Sequence, residues 1–183
     1  MFRRARFRRP GPRQALITAN RLKDNQEYEK AAQIFERLAK GAQERGMHKR
    51  APFLYIQAAH CRLLALQPER GVGLLSQGLR LLEESQQWPA LHRSGTAAVE
   101  ELTRLGQIQA AEKVQSWLDQ VLKDHPEAEK SSFEHLSTSV KSPPKLPAKC
   151  PYCGASIRPD QVEWITENSA ECLYCGSAVQ AED

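Results

Sequence analysis

The sequence predicts a mainly α-helical protein: a solenoid of three helical hairpins, about six helices, followed by a small C-terminal module of short β-strands. Two observations carry this expectation. From Arg13 to about Asp124 apolar residues recur at intervals of three and four, and the pattern repeats at a spacing of forty residues. Beyond a Ser/Pro-rich break, four cysteines stand as C-x2-C-x18-C-x2-C, a spacing that brings four thiols to one ion.

Length and composition agree. A chain of 183 residues, 40% hydrophobic and 26% charged, suits one ordinary domain plus a small module. It contains no apolar run of about 18 residues, so no membrane span is expected. The charged N-terminus has no apolar stretch behind it and does not read as a secretory signal. Paired cysteines in this pattern suit a reducing compartment, and a cytoplasmic location is expected. The formal charge of +4 is unevenly divided. Arg3, Arg4, Arg6, Arg8, Arg9 and Arg13 open the chain with no acid among them. Residues 14–130 nearly balance. From residue 150 onward only Arg158 faces Asp160, Glu163, Glu167, Glu171, Glu182 and Asp183.

Residues 1–12 form a basic arm with Phe2 and Phe7 interleaved, and Pro10-Gly11-Pro12 separates it from the helical stretch. The arm reads either as a disordered tail or as an electrostatic contact for phosphate, an acidic protein face or a membrane surface. Residues 13–128 form the helical domain. Breakers at Asp24-Asn25, Gly46, Pro68, Trp88-Pro89, Gly106 and His125-Pro126 divide it into six helices. Ala19, Ala31, Phe35 and Leu38 align with Ala59, Gly71, Leu75 and Gly78, and then with Val99, Ala111, Gln115 and Leu118. Ala31, Gly71 and Ala111 are small where the second helix of each pair would press on the first. A fixed period of this size marks stacked helical hairpins, for which about three repeats suffice.

Tyr28, Ala31 and Phe35, with Gly106, Ile108, Ala111 and Leu118 in the third unit, resemble the aromatic–x–x–Ala–x–x–x–Phe core of the tetratricopeptide repeat family. The period of forty is longer than that family's usual ~34, and its Trp–Leu–Gly pattern in the first helix is absent. An unrelated six-helix bundle is the alternative. The resemblance implies a concave binding face. Its inward positions include Asn20, Lys23, Phe53, Ile56, His60, Arg93 and Arg104, apolar in the middle and cationic at the flanks. That face would suit a protein or peptide partner with hydrophobic anchors and acidic ends.

Residues 129–148, rich in Ser and Pro, read as a flexible linker, so the module of residues 149–183 is expected to be tethered rather than packed. Cys150, Cys153, Cys172 and Cys175 supply four thiolates, a closed tetrahedral shell for one structural Zn²⁺ per chain. Gly154 and Gly176 each come directly after the second cysteine of a pair, where positive φ is needed. Iron held by the same four thiolates, or a redox or disulfide role, is the alternative. Val162 to Ile165 reads as a strand, Asn168-Ser169 as a turn, and Trp164 is expected to fill the small core. The CPYCG and CLYCG knuckles resemble the zinc ribbon family, which implies a structural metal and leaves function open.

Adjacent His60 and Cys61 do not face each other on a helix, and Cys61 reads as a packed small hydrophobe. No P-loop, G-x-G-x-x-G, HExxH or G-x-S-x-G motif occurs, so no enzyme is expected. The residues point to a protein–protein interaction adaptor with the zinc ribbon as a second contact. The rival is a nucleic-acid-associated protein that uses its Arg-rich arm, with weak and salt-dependent affinity.

Overall fold

The computed structural model describes residues 11–126, 144–159 and 162–182. The greater part of the basic arm and of the Ser/Pro stretch lies outside the described residues, as do Asp160, Gln161 and Asp183.

Six helices run in sequence: α1 (Pro12–Asp24), α2 (Tyr28–Gln43), α3 (Ala51–Leu64), α4 (Pro68–Glu84), α5 (Trp88–Arg104) and α6 (Ile108–Asp124). Proline sits in the first or second position of α1, α3, α4 and α5. There its missing N–H costs nothing and its fixed φ suits the helix. Each helix packs on the next, so the chain forms three hairpins stacked in order.

The turns between helices are alike. Positive φ recurs at Gln26, Gly46, Leu66, Gln86 and Gly106, one every twenty residues. At each, two backbone bonds close the preceding helix: Leu66 N–H donates to the Leu63 carbonyl at 3.1 Å and Gln67 N–H to the Arg62 carbonyl at 2.9 Å. The same pair of bonds closes the helices before Gln26, Gly46, Gln86 and Gly106. These are Schellman closures. The period of forty read from the side chains is therefore two periods of twenty in the backbone.

Small residues set the spacing of the hairpins. A Cβ on Gly71 would lie 2.8 Å from the Leu63 side chain and 3.2 Å from the Ala59 carbonyl oxygen. Ala31 and Ala111 occupy the matching places and are buried. The third-unit counterpart of buried Phe35 and Leu75 is Gln115, which is exposed. α6 packs chiefly on α5, and among the described residues no further helix covers its outer side, where a polar residue is at home.

Arg62 of α3 is 1% exposed, which its charge did not announce. Its Nε donates to Glu36 Oε1 of α2 at 2.6 Å and its Nη1 to Gln67 Oε1 at 2.8 Å. The pair pins the first hairpin to the second. Truncating one partner of such a pair costs about 3 kcal/mol, because the other charge is left behind.

The C-terminal sheet is antiparallel and three-stranded, in the order β1 (Glu163–Thr166), β2 (Ser169–Glu171), β3 (Ala178–Gln180). Trp164 pairs with Ala170 and Ala170 with Val179. The strand and turn expected from Val162 to Ser169 are present, with a register shift between Trp164 and Thr166. Trp164 is half-buried. The buried apolar centre consists instead of Ala155, Ile157 and Val179 around the cysteines.

This module is packed on the helices, contrary to the tethered arrangement expected from the linker. Cys150, Cys153, Cys172, Ile157 and Val179 share one apolar core with Leu16, Ala19, Phe35 and Tyr55. The sequence offered no warning, because the Ser/Pro composition speaks only for the linker and not for the surfaces that it joins.

Candidate metal centre and its seat on the helices

Two knuckles of the same shape hold the cysteines. Gly154 N–H donates to the Cys150 carbonyl at 2.8 Å, and Gly176 N–H to the Cys172 carbonyl at 2.7 Å. Both glycines have positive φ, 75° and 69°, where a side chain would be strained. Behind the glycines, Cys150 N–H donates to the Ala155 carbonyl and Cys172 N–H to that of Ser177, at 2.8 and 3.0 Å.

The four sulfurs converge. All lie within 4.8 Å of one another. Cys150 Sγ and Cys175 Sγ are 3.7 Å apart, and Cys153 Sγ and Cys172 Sγ 3.8 Å. A tetrahedron with metal–sulfur bonds of about 2.3 Å has edges of about 3.8 Å, so the donor set fits one ion such as zinc. Cys150, Cys153 and Cys172 are buried and Cys175 is half-buried.

The thiols differ widely in acidity. Burial pushes the Cys150 thiol up to about 11. The hydrogen bond between Cys153 and Cys172 raises Cys153 and holds Cys172 down to about 5. A divalent cation at their centre would deprotonate all four sulfurs and remove this conflict.

Side chains of α1 and α3 seat the knuckles. The buried Asn20 amide donates to the Cys153 carbonyl at 2.9 Å and to the Leu16 carbonyl in its own helix at 3.1 Å. Arg13 donates to the Tyr152 carbonyl at 3.3 Å and lies 5.4 Å from its ring centre. On α3, Gln57 donates to the Tyr174 hydroxyl at 3.1 Å and accepts from Lys23 at 2.7 Å. Phe53 meets the Tyr174 ring edge-on at 6.5 Å. Burial pushes the Tyr174 phenol up to about 12. Lys149 pairs with Asp24, and Arg50 with Glu171 at 3.9 Å. The Arg50 guanidinium also lies directly against Gly176, whose φ of 69° already disfavours a side chain.

The residues expected on the concave face thus divide. Asn20, Lys23 and Phe53 lie under or beside the chain's own C-terminal module. Ile56, His60 and Arg93 line a cleft with that module at one side. His60 Nδ1 is paired with Glu101 Oε1 of α5 at 2.5 Å, and Arg104 lies 4.0 Å from the same oxygen. Cys61 is fully buried in the first core, as its small apolar character predicted, and burial pushes its thiol up to about 11. Sequence reasoning missed Gln57, Tyr174 and the seat made by Asn20. Their only signal was polarity at inward helical positions, which solvent would satisfy equally well. Among the described residues no helix is long and apolar enough to cross a membrane. No family model, curated protein or solved structure matches the chain.

Proposed function

We infer that the protein is a non-enzymatic adaptor, in which tetratricopeptide-like hairpins and a zinc ribbon form a single binding unit. The observation that supports this most is the packing of the four-cysteine module on the face made by α1 and α3. A closed set of four thiolates leaves a structural zinc no open position for chemistry. The ribbon covers the N-terminal part of the inner face and leaves Ile56, His60, Arg93 and Arg104 toward the partner, which is a protein or peptide with apolar anchors and acidic groups. Stacked hairpins present such faces in general.

The test uses the full zinc-loaded chain as bait, with chemical cross-linking to locate the captured polypeptide. Cross-links to α3–α5 that are lost in the Arg93→Glu, Arg104→Glu double variant support the reading. Capture that survives this variant moves the partner surface elsewhere. The rival reading, nucleic-acid association, rests on the arginines of residues 1–13. Duplex or single-stranded nucleic acid should bind weakly, with a steep loss as salt rises, and deletion of residues 1–12 should abolish it. A salt-resistant, sequence-selective complex would reverse the order of the two readings.

A further inference from the structure

The docked ribbon closes one end of the inner face and leaves a cleft of about 310 Å³ between itself and the helices. This is the lower end of the size range of small-ligand sites. Ile56 and Leu63 of α3 and Leu173 of the second knuckle give it an apolar floor. Lys23 of α1, Arg93 of α5 and Arg158 beyond the first knuckle stand around it. None of these three cations makes an ion pair among the described residues. The acid in the lining, Glu101, has its Oε1 2.5 Å from His60 Nδ1 and 4.0 Å from Arg104 Nη2. Lys23 is half-buried, and its desolvation lowers its pKa. A partly desolvated ammonium bonded to a neutral amide gains from a nearby anion.

We propose that this cleft binds a small apolar carboxylate, its chain on Ile56, Leu63 and Leu173 and its carboxylate between Lys23, Arg93 and Arg158. Neither module forms the site alone, since the helices lack Arg158 and Leu173 and the ribbon lacks the rest. The docked ribbon is therefore a requirement for affinity, and the ligand in turn favours the docked state. Anion selectivity follows from three cations against a single acid, Glu101, whose Oε1 lies against His60 and Arg104.

The proposal shares Ile56 and Arg93 with the adaptor reading, but the titration below contains no protein partner, so its failure would count against the cleft ligand and not against the adaptor reading. The test titrates the full zinc-loaded chain with sodium octanoate and tracks the methyl NMR signals of Ile56, Leu63 and Leu173. Octanol and octyltrimethylammonium are the controls. Saturable shifts are expected with octanoate, with affinity at least tenfold above octanol and none with the cation. The Arg93→Gln, Arg158→Gln double variant, checked for native zinc content and far-UV signal, should lose affinity at least tenfold. Zinc removal should lose it too. The blocked dipeptide N-acetyl-Leu-Glu-amide offers the same chemistry from a polypeptide. Tighter binding of the dipeptide assigns the carboxylate to a protein side chain, and weaker binding assigns it to a free acid. Absence of saturable octanoate binding, equal affinity for octanol, or a double variant that binds as wild type would each overturn the proposal.

Discussion

Asn20 of the first helix donates to the carbonyl of Cys153, 133 positions further along the chain, over 2.9 Å. One buried amide thus fixes a metal knuckle to a helical hairpin.

Asn20→Leu removes that donor and leaves the Cys153 carbonyl buried without a partner. A loss of about 1–3 kcal/mol in the docked state is expected. The measurement is the rate of zinc release to a chelator, which should rise roughly tenfold for each 1.4 kcal/mol lost. An unchanged rate would mean that the ribbon holds its metal without help from α1.

Metal removal provides the second test. Freshly purified reduced protein should contain one zinc per chain, and Cys172→Ser should lose it while Cys61→Ser keeps it. On chelation the ribbon should lose its order, because so small a module cannot fold on its own core. The helical far-UV signal should persist, and Tyr174 should become exposed to solvent as its seat on Phe53 and Gln57 opens. Loss of metal with Tyr174 still buried would show that docking does not depend on the ion.

Cys61 makes stability depend on alkaline pH. Its thiol stands at about 11 in the fold because of burial, against about 8.5 in an unfolded chain. Between these values the unfolded state has lost the proton and the folded state has kept it. Stability is therefore full below about pH 8.5 and falls as pH rises toward 11, by up to about 3 kcal/mol. Urea melts across this range should show the decline, and Cys61→Ala should show less of it by that amount. Equal slopes for the two proteins would refute the assignment.

Leu66 carries φ 57° and is 88% exposed. Its side chain packs on little and its backbone is held left-handed, at a cost of about 1 kcal/mol for a residue with a Cβ. Leu66→Gly should raise stability by about that amount and move the thermal midpoint up by a few degrees. A lower midpoint would indicate that the exposed leucine is stabilising the turn by contacts of its own.

The degree to which the sequence was legible differs between features. Ala31, Gly71 and Ala111 marked the helical repeat because close packing of backbones excludes larger side chains. The cysteines declared their cluster because four sulfurs at that spacing have few other uses. The turns at Gln26, Leu66 and Gln86 were not legible as left-handed, since nothing but Gly46 and Gly106 advertised the geometry. Nothing in the sequence marks Arg62 as buried, because its burial depends on Glu36, 26 positions away on another helix. The seat of the ribbon was hidden for the same reason. Asn20, Gln57 and Tyr174 are ordinary polar residues until a surface over a hundred positions distant is folded against them.

A stack of hairpins closed by local turns has nearly all of its contacts between near neighbours in sequence, and such chains form quickly. The bond from Asn20 to Cys153 is the opposite kind, spanning most of the chain. Folding should therefore occur in two tempos, with the helices assembling first and the ribbon returning later to the hairpin made earliest. Native-state hydrogen exchange would report the same asymmetry as a gradient. Amides of α1 and α3, held under the ribbon, should exchange slowly, and those of α6, which packs chiefly on α5, should open soonest. The last element of the chain is what ties down the first.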